Sequence, residues 1–66
     1  MNLIKNLGNR ISIIRKRNKL TQEQLAILSH INIKYLFLIE KGKANPTIKI
    51  LHKISIGLRI SLHELF

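Results

Sequence analysis

An all-α domain of five short helices is predicted for this chain, on three observations. Apolar residues recur at helical spacing near both ends of the sequence. A residue suited to capping a helix precedes each later apolar segment: Thr21, Asn32, Thr47 and Ser61. No segment alternates apolar and polar residues as a half-buried strand does.

In helix 1, Leu3, Ile4, Leu7, Ile11 and Ile14 fall within one arc of about 100°. Arg15 lies at the edge of that arc and needs an acidic partner or a water-facing tip. The helix ends in "RKRNK", whose cations suit the negative end of a helix dipole. Thr21 opens helix 2, with Gln24 three positions on as its capping-box partner, and the helix runs from Gln22 to about Leu28. A turn, "SHI", leads to Asn32, the cap of helix 3, which continues to about Glu40. Gly42 ends helix 3, and "KGKANP" forms a basic loop. Thr47 caps helix 4, where Ile48, Leu51, Ile54 and Leu58 keep helical spacing. Ser61 caps a last short helix, "LHELF", with Glu64 at the box position.

Sixty-six residues suffice for one domain, residues 1–66, with a single core. A chain this short buries only about 60% of its unfolded surface, so self-association would help it. Cysteine is absent, which excludes disulfides and thiolate metal sites; an intracellular, self-associating protein fits best. Twelve Lys and Arg face three acids, for a net charge of +9 and a pI near 10.8. That balance points to a polyanionic partner, nucleic acid first and an anionic membrane surface second. The longest apolar run, "YLFLI", is too short to span a bilayer, and the start of the chain lacks the apolar region of a secretory signal. Helix 1 is basic and amphipathic, but membrane binding would leave four other capped helices without a role.

Helices 2 and 3, about eight residues each across a short turn, have the dimensions of a helix-turn-helix. Ala26 provides the small side chain where two helices cross, and Ile31, Leu36 and Ile39 fill the angle between them. With those residues in place, "LTQEQLA", "IEKGKANPT" and "LHKISIGLRISLHELF" resemble the Cro- and phage-repressor-type (XRE) helix-turn-helix family over about residues 3–66. The resemblance implies a compact, lambda-repressor-like domain that regulates transcription by binding double-stranded DNA, with helix 3 in the major groove. It implies that Gln22 reaches the DNA backbone and that Asn32, Ile33, Lys34 and Phe37 face the groove. By the same resemblance, Lys41, Lys43 and Asn45 grip phosphates, and Arg15 and Glu40 form an ion pair tying helix 1 to helix 3. A homodimer on a palindromic site is expected, because one short helix reads few bases. The expected dimer surface is Arg59, Ile60, Leu62 and Phe66, where the sequence closes on apolar residues.

The chain departs from the family pattern in three places. His30 stands in the turn and Arg59 at the end of helix 4, both where the family has glycine for a left-handed backbone. Helix 3 carries Ile33, Phe37 and Leu38 where small or polar residues are common. On a helical wheel centred on Leu36, Tyr35, Ile39 and Glu40 turn inward, while Ile33, Lys34, Phe37, Leu38 and Lys41 turn outward. Such a face suits a protein partner, as in an antitoxin, or the methyl groups of thymine beside Asn and Gln hydrogen bonds to adenine or phosphate. The basic loop favours DNA with thymine-rich half-sites, since protein interfaces are depleted in Lys.

Catalytic chemistry is not expected. The chain has no Asp; Glu23, Glu40 and Glu64 lie on separate elements, and His30, His52 and His63 lack metal-binding spacing. Ser29, Ser55 and Ser61 have no neighbouring His-acid pairing, and no glycine-rich phosphate loop occurs. Neither enzyme, nor cofactor, nor metal is expected.

Overall fold

The computed structural model describes residues 2–66. Four α-helices are followed by a 3-10 turn: α1 (Leu3–Arg17), α2 (Gln22–Ser29), α3 (Ile33–Glu40), α4 (Ile48–Leu58) and the turn Leu62–Leu65. The expected fifth helix is therefore a single tight turn. It is closed by i→i+3 bonds, from Glu64 N–H to the Ser61 carbonyl and from Phe66 N–H to that of His63, both at 3.1 Å. The Ser61 backbone N–H, followed by its hydroxyl, donates to the Glu64 carboxylate and holds its pKa below the ordinary value.

Side-chain caps open every α-helix. Asn2 Oδ1 accepts from Lys5 N–H at 2.9 Å, and Thr47 Oγ1 accepts from Ile50 N–H at 3.2 Å. At α2 the box closes in both directions, with Thr21 Oγ1 accepting from Gln24 N–H at 3.0 Å and Gln24 Oε1 from Thr21 N–H at 2.8 Å. The helices also end alike. Lys19, His30, Gly42 and Arg59 each adopt a left-handed backbone, with φ of 58°, 55°, 72° and 60°. The next residue's N–H then folds back on the last turn, as Ile31 does to the Ala26 carbonyl and Ile60 to that of Ser55, both at 3.0 Å. Leu20, Ile31 and Ile60, which follow the left-handed residue, pack against the core. After α3 that place belongs to exposed Lys43.

The core gathers Leu7, Ile11 and Ile14 of α1, Leu25 and Ala26 of α2, Leu36 and Ile39 of α3, and Leu51, Ile54 and Leu58 of α4. Leu65 closes it from the 3-10 turn. Two residues expected inside are outside: Leu3 is 65% and Ile48 62% exposed. Each is the first residue of its helix, and helical side chains lean toward the N-terminus, so these two overhang the core. Helix α2 lies against α3 and α4, while α1 lies against α3 and the 3-10 turn. The α1–α3 approach depends on Gly8, where a Cβ would collide with the Ile39 carbonyl oxygen. Close contact there brings the end of α3 within reach of the side chains of α1.

Candidate nucleic-acid interface

Three helix ends meet at Glu40, the last residue of α3. Arg15 of α1 donates from Nε to Glu40 Oε2 at 2.8 Å and from Nη2 to Oε1 at 3.0 Å. Its remaining nitrogen, Nη1, donates to the Leu20 carbonyl at 2.8 Å. Gln22, the first residue of α2, donates from Nε2 to Glu40 Oε1 at 3.1 Å. The Arg15 and Glu40 side chains are only 10% and 5% exposed, so their charges are satisfied by each other and not by water. This junction fixes the angle of the helix pair. It also occupies one N–H of Gln22, leaving that amide one N–H to offer a phosphate.

Helix α3 turns Leu36 and Ile39 fully inward. Its outer side presents Ile33, Phe37 and Leu38, each 40–42% exposed, together with exposed Lys34. Lys41 Nζ stands 4.5 Å from the centre of the Phe37 ring, a cation–π contact that holds both side chains at the outer surface. Asn32 is exposed, but Oδ1 already accepts from Lys34 N–H at 2.7 Å and Tyr35 N–H at 3.3 Å. Only its amide hydrogens remain free. Pairing with both N6 and N7 of adenine needs an acceptor and a donor together, so Asn32 cannot make that contact while it caps α3.

Cations frame this face. Lys41, Lys43 and Asn45 are exposed in the loop after α3. Lys16 and Arg17 in the last turn of α1 and Lys19 on the link to α2 are exposed, close to Arg15 in sequence, and were not among the expected DNA-facing residues. The signal for them was the run "RKRNK", which helix-dipole complementarity already explained. Of the three acids, Glu40 is committed to the junction and Glu64 to the 3-10 turn, leaving Glu23 exposed on α2.

The expected dimer residues fall on different hollows. Arg59 and Ile60 line a groove of about 590 Å³ together with Leu20, Leu28 and Ile56. Phe66, 61% exposed, lines a smaller hollow of about 240 Å³ with Leu3, Leu7 and Arg10. Leu62 is half-buried against the core. Leu28 and Ile56, 50% and 59% exposed, were not anticipated; their signal is apolar character outside the core spacing of their helices. No helix among the described residues is long and apolar enough to cross a membrane.

A short helix pair locked at its junction, with its outer helix open to solvent amid cations, defines a DNA-binding domain of the helix-turn-helix class. The chain belongs to the helix-turn-helix family of transcription regulators (HTH_3, the XRE type), whose model matches residues 11–65. It is 43% identical to the control protein C.MunI of Mycoplasma sp, over 100% of this chain and 92% of that protein. It is 39% identical to the transcriptional regulator SlrR of Bacillus subtilis (strain 168), over 91% of this chain but 40% of SlrR. Among solved structures, the restriction-modification controller C.AhdI from Aeromonas hydrophila superposes with a TM-score of 0.94 at 32% identity, covering 96% of both chains.

Proposed function

We propose that the chain regulates transcription as a homodimer on a palindromic DNA site, with α3 of each subunit in the major groove. The observation that carries this reading is the outer side of α3: three partly exposed apolar side chains set among cations. Apolar contact there suits thymine methyls, and the flanking Lys residues suit phosphates. Ile33, Phe37 and Leu38 meet the bases, with Lys34 and the Asn32 amide as donors. Gln22, Lys41, Lys43 and Asn45 hold the backbone, joined by Lys16, Arg17 and Lys19. Asn32 and Lys34 select acceptors such as guanine O6 or thymine O4, and Asn32 does not make the two-point contact with adenine N6 and N7.

The dimer forms through the groove of Leu28, Ile56, Arg59 and Ile60, the larger of the two hollows. Each subunit measures 29 × 23 × 21 Å, so two related by a two-fold axis can set their α3 helices about 34 Å apart, one turn of DNA. The likeness to C.MunI and C.AhdI supports a role as controller of a restriction-modification system. Selection of bound sites from random duplex DNA tests the whole reading. The expected product is a thymine-containing inverted repeat with half-sites one helical turn apart; enrichment of no sequence would exclude specific binding.

A further inference from the structure

We infer that the outer side of α3 reads the C5 methyl group of a pyrimidine whichever pyrimidine carries it, so that 5-methylcytosine is a ligand as well as thymine. The inference rests on the proposed placement of α3 in the major groove. The C5 methyl is the apolar group that base edges present there, and ordinary cytosine lacks it. Ile33, Phe37 and Leu38 offer this face apolar contact at three points along eight residues of helix.

What distinguishes thymine from 5-methylcytosine is the neighbouring C4 substituent, an acceptor oxygen in one and a donor amino group in the other. The free donors of this face, Lys34 and the Asn32 amide, favour the thymine oxygen over the amino group of 5-methylcytosine, but they do so equally with and without the methyl. Asn32 Oδ1 is consumed by two backbone N–H groups of α3. Lys41 is drawn over the Phe37 ring, and its ammonium has hydrogens to give but no lone pair. The methyl therefore adds its contact energy to either base. Methylation of a cytosine at a contacted position should strengthen binding, which makes the protein a sensor of cytosine-5 methylation within its own site.

Four duplexes that differ at one contacted position per half-site test this, carrying thymine, uracil, cytosine or 5-methylcytosine. Burying one methyl gives about a fourfold gain per half-site and about fifteenfold for both. Thymine over uracil and 5-methylcytosine over cytosine should show this same ratio, and Phe37→Ala should shrink both together. Thermal melts of the variant keep loss of folding separate from loss of contact. A thymine preference with no gain from methylating cytosine would overturn the inference and leave the proposed function standing. Equal affinity for uracil at every thymine of the selected site would overturn methyl reading itself. Ratios unchanged in both Phe37→Ala and Ile33→Ala would move the contact off this face, and an absence of duplex binding would remove the inference and the proposed function together.

Discussion

Phe37 occupies the centre of the outer side of α3, with its ring held by the Lys41 ammonium. At 42% exposure it is neither a core residue nor a free one. A fully buried Phe→Ala change costs about 3–5 kcal/mol. Here the lost packing is partial and the cation–π contact lies at the surface, so Phe37→Ala should cost about 1–2 kcal/mol in a thermal melt. Affinity for the selected site should fall by about 1–2 kcal/mol as well. A melt that collapses would place the ring in the core, and an intact melt with unchanged DNA affinity would assign the face to a protein partner. The outward direction of Phe37 follows from the helical wheel alone, because Leu36 and Ile39 define the inner side. What the wheel does not show is Asn32 spending its oxygen on the cap. Asparagine is common both as a cap and as a reader of adenine, and the two roles become exclusive only in three dimensions.

At the scale of elements, the fold is held by how its helices begin, end and meet. Three of the four left-handed residues that end helices carry side chains, which glycine would spare strain. His30→Gly, Lys19→Gly and Arg59→Gly should each raise stability by about 0.5–1 kcal/mol, though Lys19 and Arg59 adjoin the hydrogen-bonded pair Asn18 and Leu58, so those two changes need not add. Chemical denaturation midpoints would show it, and a fall in midpoint at His30→Gly would deny the left-handed turn. The junction should behave oppositely. Glu40→Ala strands Arg15 with its charge buried and deprives Gln22 of its acceptor, at a cost of about 3 kcal/mol. Arg15→Met with Glu40→Leu should recover much of that loss, since an apolar pair has no charge to desolvate. If Glu40→Ala melts like the parent, the pair contributes nothing to stability. Helix starts were legible because Thr21, Asn32 and Thr47 are chemically marked, as their caps are observed. Helix ends were less so: Lys19 carries no local sign of a left-handed backbone, and the apolar Leu20 that follows it reads as ordinary core. The last segment is a single 3-10 turn opened by the expected capping box, which marks a start without stating how many turns follow.

At the scale of the molecule, net charge and symmetry combine in one measurable quantity. The formal charge is +9, and the outer side of α3 lies among Lys34, Lys41 and Lys43, with Lys16, Arg17 and Lys19 at the end of α1 and on the link to α2. Each phosphate neutralised releases condensed counterions, so log K falls against log salt with a slope of about −0.9 per contact. Five cationic backbone contacts per subunit, from Lys16, Arg17, Lys19, Lys41 and Lys43, doubled by the proposed two-fold axis, predict a slope of about −9. Lys43→Ala then carries information about stoichiometry. It should weaken selected and scrambled duplexes alike, as loss of a backbone contact does. Two subunits on one site lose two contacts, flattening the slope by about 2 units, whereas a single bound subunit would lose about 1. Mobility shifts at a series of salt concentrations, run with both proteins on the selected duplex, measure the difference directly. A flattening of about 2 units supports the dimer independently of any sedimentation experiment. A parent slope near zero would detach the positive charge from DNA altogether and return the outer side of α3 to a protein partner.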